Sequence, residues 1–265
     1  MRIEHIISTM RRSDFSFLKK LKMETDCLVV NQKTDEGNSS YNISDTITAR
    51  IINTSESGLS RSRNKLLENA TGEVCIIGDD DVEYLPGYIG FIEIAYKEIP
   101  DADIIVFRFT HEKERETRAR YFKIKRLRMW NISKAASVEI TFKRKSIQDA
   151  GISFNNNIGL GTAFPSGEEN AFLADALRAG LRIYHYPKTI CYAVEEHTLR
   201  DSDQAKSYLI TKGAAFHCIY KRMFLPYAMA FILLKKRSLF KSVSICNALK
   251  FMIKGKREYL KLSEV

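Results

Sequence analysis

Short apolar runs alternate with amphipathic segments over the first 200 residues. The runs with strand character are 3–7, 27–30, 46–52, 74–77, 103–109, 137–144, 182–186 and 189–193. Between several of them, leucine, isoleucine and alanine recur at helical spacing and predict helices from near Ser13, from Ser57, from Tyr88 and from near Ser166. Because strands alternate with helices, we predict an α/β fold with a mostly parallel central sheet flanked by helices.

One apolar run ends in three consecutive acids, Asp79, Asp80 and Asp81. Residues 74–77 have no polar break, as expected of a central strand covered on both faces. Alternation along an extended chain places Asp79 and Asp81 on one side and Asp80 on the other. Two carboxylates at a rigid strand end can hold a hard divalent cation together with phosphate oxygens. The alternative is an acidic turn that caps the following segment.

The last 60 residues differ from the rest in charge. Residues 206–265 contain thirteen Lys and Arg against two Glu, whereas the whole chain carries a net charge of +10. We therefore divide the chain into an α/β domain at 1–205 and a basic, amphipathic helical extension at 206–265. Positive charge confined to a tail argues against a nucleic-acid partner and favours an anionic membrane surface.

An apolar stretch at 224–234 lies between clusters of Lys and Arg. It is shorter than the roughly 20 residues that a membrane-spanning helix needs. We expect it to lie on the membrane surface, and the alternative is a C-terminal helix that packs on the core. The N-terminal apolar run is too short for a signal peptide, and the five scattered cysteines are typical of buried thiols in a reducing compartment. These features predict a cytoplasmic protein, peripheral on the inner face of the cell membrane.

Three blocks occur in a defined order: SGLSRSRN at 57–64, IIGDDDV at 76–82 and SGEENAF at 166–172. Together they resemble the family 2 glycosyltransferases, nucleotide-sugar enzymes with the GT-A type fold. The resemblance covers about residues 1–200, and the closing segment 248–259 resembles the tails of bacterial capsular, exopolysaccharide or O-antigen members. It implies inverting, direct displacement of a sugar from a UDP-sugar to a saccharide acceptor, which we expect to be lipid-linked.

The resemblance also implies a metal site for Mn²⁺ or Mg²⁺. Asp81 is the surest metal contact, Asp79 supplies a second carboxylate, and both Asp79 and Asp80 lie near the ribose and the sugar. A bound divalent cation would stabilise the negative charge of the leaving diphosphate as a Lewis acid. His197 occupies a position where related enzymes often place a third metal ligand or an acceptor contact, and a purely structural histidine is the alternative.

The predicted nucleotide-sugar contacts are Ser8, Thr9, Met10, Asn31, Gln32, Arg63, Asp79 and Asp80. Two of these segments depart from the family pattern. Asn31 and Gln32 stand where aspartates usually read the uracil ring, and Ser8 to Met10 replace the common Pro-x-Tyr. An amide offers both an acceptor and donors, so Asn31 can still pair with a uracil edge. Arg63 would face the nucleotide, with a plain surface arginine as the alternative.

Two glutamates open the helix after Gly167. In the family pattern the second acid takes the proton from the acceptor hydroxyl, which assigns the general base to Glu169 and a supporting part in the catalytic loop to Glu168. The alternative is that both acids only stabilise the positive end of the helix dipole.

Two other functions remain open from the residues themselves. A nucleotidyltransferase would also use metal-bound aspartates, but it would release diphosphate instead of UDP. A non-catalytic nucleotide or polyanion binder would use the basic stretch 115–128. It is part of the segment 111–128, which carries eight Lys and Arg against three Glu. This segment is predicted either as a solvated surface helix or loop or as a flap over an anionic ligand. A homo-oligomer is compatible with the sequence.

Overall fold

The computed structural model describes residues 1–111, 123–193, 202–239 and 243–263. The strands are β1 Ile3–Met10, β2 Cys27–Gln32, β3 Gly37–Asn42, β4 Thr48–Thr54, β5 Val74–Gly78, β6 Val82–Tyr84, β7 Ile104–His111, β8 Lys125–Arg126, β9 Ile140–Lys143 and β10 Ile183–Ala193. The α-helices are α1 Phe17–Lys20, α2 Leu59–Asn69, α3 Tyr88–Glu98, α4 Arg144–Asp149, α5 Glu168–Arg178, α6 Ser202–Tyr220, α7 Phe224–Leu239 and α8 Ile245–Ser263. Short 3₁₀-helices occur at Ile132–Lys134, Ser137–Glu139 and Lys221–Met223.

The strands form one sheet with the order β3-β4-β2-β1-β5-β9-β7-β10-β6, and β8 also pairs with β10. Strands β4, β2, β1 and β5 are parallel to one another, and β7 is parallel to β10. Antiparallel β9 lies between these two parallel groups, paired with β5 and β7. The predicted α/β class with helices flanking a central parallel sheet is confirmed.

Helices cover both faces of the sheet. Successive residues of a strand point to opposite faces, so Cys75 and Ile77 enter one core, whereas Val74 and Ile76 enter the other. Helices α2, α5, α6, α7 and α8 pack on the first face, and α1 and α3 pack on the second. Burial on both faces explains why this strand is a continuous apolar run in the sequence.

The carboxyl ends of β1, β2 and β5 lie side by side. In the pairing register, Thr9 is opposite Asn31 on β2, and Ile7 is opposite Gly78 at the end of β5. In open α/β sheets, ligands bind in the crevice beyond these strand ends. The predicted binding residues at 8–10, 31–32 and 79–81 therefore lie at one edge of the sheet.

Several local expectations are corrected. The polar stretch after Gln32, which the pattern does not mark as a strand, forms edge strand β3, antiparallel to β4. The predicted strand at 137–144 is a 3₁₀ turn followed by β9 and α4. The two strands predicted at 182–186 and 189–193 are one strand, β10, with a register shift between His185 and Thr189. Pro187 lies inside that shift, where a missing backbone donor is tolerated.

The basic C-terminal helices pack on the core through one face each. Phe224, Ala228 and Ile232 of α7 and Met252 of α8 are buried in the same cluster as Phe172 of α5. The buried faces of α7 and α8 therefore agree with the alternative prediction, in which the C-terminal helices pack on the core. Position 206 falls within α6, and the division of the chain at 205 stays a prediction. In the described ranges, no helix has both the length and the apolar content needed to cross a membrane.

Candidate functional site

Arg63 connects the aspartate strand end to the start of α5. It is 2% exposed, and its Nη2 donates to Asp79 Oδ1 at 3.0 Å while its Nη1 donates to Glu168 Oε1 at 2.8 Å. Its guanidinium also lies over the Phe154 ring, with 5.5 Å between Cζ and the ring centroid. Asp79 Oδ2 accepts a second hydrogen bond, from Ser137 Oγ at 2.9 Å. All three sequence blocks thus meet through one buried cation, because Arg63, Asp79 and Glu168 each come from a different block.

Neighbouring carboxylates favour the charged form of the buried Arg63 guanidinium. Burial by itself would lower the pKa of Arg63, but the carboxylates of Asp79, Glu168 and Glu169 act in the opposite direction and raise it. Glu168 is buried and its carboxylate is paired with the guanidinium, whereas Asp79 is about one-third exposed. Arg63 therefore fixes the position of Glu168 more strongly than that of Asp79.

Asp80 meets a different set of partners. Its Oδ2 accepts hydrogen bonds from Thr9 Oγ1 at 2.6 Å and from Arg12 Nη2 at 3.1 Å. Arg12 follows the end of β1 and also lies over the Phe17 ring, at 4.8 Å from Cζ to the centroid. This partly exposed arginine adds a positive group to the rim of the site.

The polar residues at the ends of β1 and β2 are hydrogen-bonded within the protein. Gln32 donates from Nε2 to Ser8 Oγ at 2.9 Å, and its Oε1 accepts from Gly58 N at 2.7 Å. Asn31 Nδ2 donates to Arg12 O at 2.8 Å, and its Oδ1 accepts from Arg12 N at 3.0 Å. Asn31 and Gln32 are buried, and both side-chain amides are already engaged in these hydrogen bonds. The structure gives them a supporting place beneath the site, and direct contact of Asn31 with a base stays a prediction.

The loop at 155–167 packs against the start of α2. Gly159 has φ of +117°, and a Cβ added there would lie 2.8 Å from Ser60 Oγ, so the loop backbone approaches α2 closely. Asn64 of α2 fixes the same segment, because its Oδ1 accepts from Phe154 N at 2.7 Å and its Nδ2 donates to Phe154 O at 2.9 Å. The loop is thus held against α2 before it enters α5.

Glu169 lies beside Glu168 at the start of α5 and is partly buried. Desolvation raises the pKa of Glu169, and the neighbouring charge of Glu168 raises it further, to about 7. Lys212 of α6 and Arg63 lower it and so oppose this shift. A carboxyl group whose pKa is near neutrality is suited to proton transfer, because it can exist in either state at physiological pH.

The aspartates offer oxygen donors, which Mn²⁺ and Mg²⁺ prefer. Asp79 engages both carboxylate oxygens within the protein, whereas Asp80 engages Oδ2, and Asp81 is exposed at the tip. A hard cation held by these carboxylates would need phosphate and water oxygens to complete its coordination. In the part of the chain that the structure describes, no group of three or more His, Cys, Asp or Glu side chains is arranged to hold a metal ion.

The structure brings most of the predicted site residues to one edge of the sheet. Met10 is partly exposed at that edge, 45% of its surface being accessible. His197 and residues 112–122 of the basic segment lie outside the described residues. Sequence reasoning missed Arg12, Ser137 and Lys212. The basic pair directly after β1 was a signal for Arg12, but no local pattern marks Ser137 or Lys212.

The fold and site define an α/β protein of the GT-A type. The model of glycosyl transferase family 2 matches residues 18–154. The sequence search among curated proteins found no match. A crystal structure of S. aureus TarS 1-349 in complex with UDP is similar at a TM-score of 0.63 and 15% identity, over 96% of this chain and 81% of that one.

Two further TarS structures are also similar in fold. The crystal structure of S. aureus TarS 1-349 in complex with UDP-GlcNAc has a TM-score of 0.58 at 14% identity, covering 100% of this chain and 92% of that one. The crystal structure of S. aureus TarS has a TM-score of 0.56 at 15% identity, covering 97% of this chain and 54% of that one. Because the family model spans more than half of the sequence, the chain belongs to glycosyl transferase family 2.

Proposed function

We propose that this protein transfers a sugar from a UDP-sugar to a saccharide acceptor at the edge formed by β1, β2 and β5. The observation that supports the proposal is the Arg63 bridge, in which one guanidinium pairs with Asp79 after β5 and with Glu168 at the start of α5. The similar fold of TarS, whose structures are described in complex with UDP and with UDP-GlcNAc, supports a uridine nucleotide as the donor.

Asp79 and Asp81 would supply carboxylate ligands for Mn²⁺ or Mg²⁺, and His197 stays a candidate third ligand. A divalent cation bound there would supply charge stabilisation to the diphosphate of the leaving UDP. Arg12 lies on the same rim and would contact a phosphate oxygen, since it already reaches Asp80. Arg63 acts through Asp79 and Glu168, whose carboxylates it positions, because it is buried behind both.

Glu169 is the general base in this proposal. The acceptor oxygen attacks the anomeric carbon, the bond from that carbon to the phosphate oxygen breaks, and the electron pair leaves with UDP. Glu169 takes the acceptor proton during this step, and inversion at the anomeric carbon follows from the single displacement. The raised pKa of Glu169 supports this assignment, because a base near neutrality balances availability against proton affinity.

We further propose that the protein acts in surface polysaccharide synthesis at the inner face of the membrane, on a lipid-linked acceptor. The outer side of α7 and the turn before it expose Met223, Leu225, Leu233 and Leu234. Lys221 lies next to this surface and is exposed. Binding to vesicles should require anionic lipid and weaken with salt, since each nearby cation contributes about 1 kcal/mol. Equal binding to neutral vesicles would contradict the electrostatic part.

A panel of nucleotide sugars tests the donor assignment. With Mn²⁺ present, UDP-sugars should raise the melting temperature, because a ligand that binds the folded state stabilises it. The corresponding GDP-sugars and CMP-sugars are the controls. The product identifies the reaction, since UDP indicates glycosyl transfer and diphosphate indicates nucleotidyl transfer. Stabilisation by GDP-sugars alone would refute the uridine donor.

A further inference from the structure

A second cleft lies beside the proposed catalytic helix start, between the 3₁₀-helix Ile132–Lys134 and helices α6 and α7. Its volume is about 660 Å³, within the range of small-ligand sites. Aromatic side chains dominate its walls, chiefly Trp130, Tyr208, Tyr227 and Phe231, and we name it the aromatic cleft. Trp130 is 62% exposed, so one of these rings is largely open to solvent at the cleft.

The described charged side chains that line the aromatic cleft are all basic. Lys134, Lys212 and Lys235 line it, and none of the described residues that line it is acidic. Lys212 is partly buried, with its Nζ 5.4 Å from the centroid of the Tyr208 ring. A concave surface with cations of one sign and low-dielectric walls concentrates anionic ligands.

The aromatic cleft adjoins the site at α5 through three contacts. Asn170, the residue after Glu169, lines the cleft. Ala215 of α6 also lines it and packs on Gly167, since a Cβ added to Gly167 would lie 2.7 Å from the Ala215 Cβ. Lys212 is close enough to Glu169 to lower the pKa of its carboxyl group. A molecule in the cleft would therefore lie beside the start of α5, next to the residue that follows Glu169.

We propose that the aromatic cleft binds the acceptor and that this acceptor is a saccharide bearing anionic groups, either carboxylates or phosphates. Sugar rings have apolar faces that pack on aromatic rings, while the hydroxyl ends of tyrosines can hydrogen-bond to sugar oxygens. Lys134 and Lys212 pair with the anionic substituents. This inference rests on the proposed transferase function, since it identifies the class of acceptor that the same site would use.

Trp130 provides a direct measure of binding, because it is the single tryptophan of the chain. The probes are chitotetraose, which is neutral, a hyaluronan tetrasaccharide, which carries carboxylates, and a phosphorylated maltotetraose. We expect a saturable change in tryptophan fluorescence with one or both acidic probes and a response at least tenfold weaker with chitotetraose. The two acidic probes distinguish carboxylate from phosphate as the recognised group.

Lysine variants locate the binding. Lys134→Met and Lys212→Met should each weaken binding of the acidic probe about tenfold or more, as expected for loss of a charged hydrogen-bonding partner. Lys145→Met is the matched control, because Lys145 is exposed on α4, outside the aromatic cleft, and should bind as the parent does. Melting curves confirm that each variant is folded.

Three results would overturn the inference. These are an equal response to neutral and acidic tetrasaccharides, an equal loss in the Lys145→Met control, and a preference for a single-stranded oligonucleotide over both acidic probes. The proposed function is judged separately by UDP-dependent thermal stabilisation. Saccharide binding without UDP binding would refute the transferase, whereas UDP binding without saccharide binding would refute the aromatic cleft as the acceptor site.

Discussion

Replacement of Arg63 by methionine tests the buried charge network that organises the site. Methionine keeps much of the side-chain length but removes the two charged hydrogen bonds, at 2.8 Å to Glu168 and 3.0 Å to Asp79. Glu168 would then be left as a buried carboxylate, with 8% of its side chain exposed, whereas Asp79 is 34% exposed and so keeps access to solvent. Loss of one partner of a buried ion pair costs about 3–5 kcal/mol, so most of the expected loss comes from Glu168.

Urea denaturation followed by circular dichroism measures this change at pH 7. Arg63→Met should lower the free energy of unfolding by about 3–5 kcal/mol. Arg61→Met, on the exposed face of the same helix, should change it by less than about 0.5 kcal/mol.

A double variant distinguishes the loss of side-chain packing from the cost of burying an unpaired carboxylate. Adding Glu168→Gln to Arg63→Met removes the buried charge and should restore roughly 1–3 kcal/mol, since a neutral amide costs less to bury. If Arg63→Met loses less than about 1 kcal/mol, or if Glu168→Gln restores nothing, the ion pair does not hold the two blocks together.

Three further predictions address the metal, the base and the C-terminal helices. Asp81→Asn should abolish Mn²⁺-dependent UDP binding in calorimetry while leaving the melting temperature unchanged, because the carboxamide keeps the volume and loses the charge. The transfer rate should rise with pH through about 7 as Glu169 loses its proton, and Lys212→Met should move that rise to higher pH, since Lys212 lowers the pKa of Glu169. An unshifted profile would contradict the assignment. Gly213→Ala should destabilise the protein by about 1–3 kcal/mol, because the added Cβ would overlap the Met252 backbone of α8. Gly90→Ala, on the exposed face of α3, meets nothing within 4 Å and should be neutral or stabilising.

The main strands of the fold could be predicted from the sequence, because burial on both faces of the sheet gives a strand a continuous apolar pattern. The 74–77 run and the three aspartates correctly located β5 and its exposed end. Edge strand β3 was not predictable in this way, since it is mostly exposed and consists of Gly, Asn, Ser and Tyr. Its pairing comes from β4, which lies beside it in the sheet, and not from its own hydrophobic pattern.

The candidate site was predictable in its residues but not in its connections. The motif blocks placed Arg63, Asp79 and Glu168 in the site, yet their sequence separations do not indicate that one guanidinium joins both carboxylates. The effect of Lys212 was also not predictable from local sequence. Lys212 lowers the pKa of Glu169 because α6 packs on the start of α5. Interactions between distant segments depend on tertiary packing, which local patterns do not encode.

The most direct test of the central claim is the rate of UDP release by Glu169→Gln, measured with the UDP-sugar that the panel identifies and a saccharide acceptor. Loss of a general base typically lowers the rate by about 100 to 10,000 fold. We predict a loss in that range, with UDP affinity and melting temperature unchanged. Transfer at the normal rate by Glu169→Gln, or a larger loss in Glu168→Gln, would contradict the assignment of Glu169 as the base.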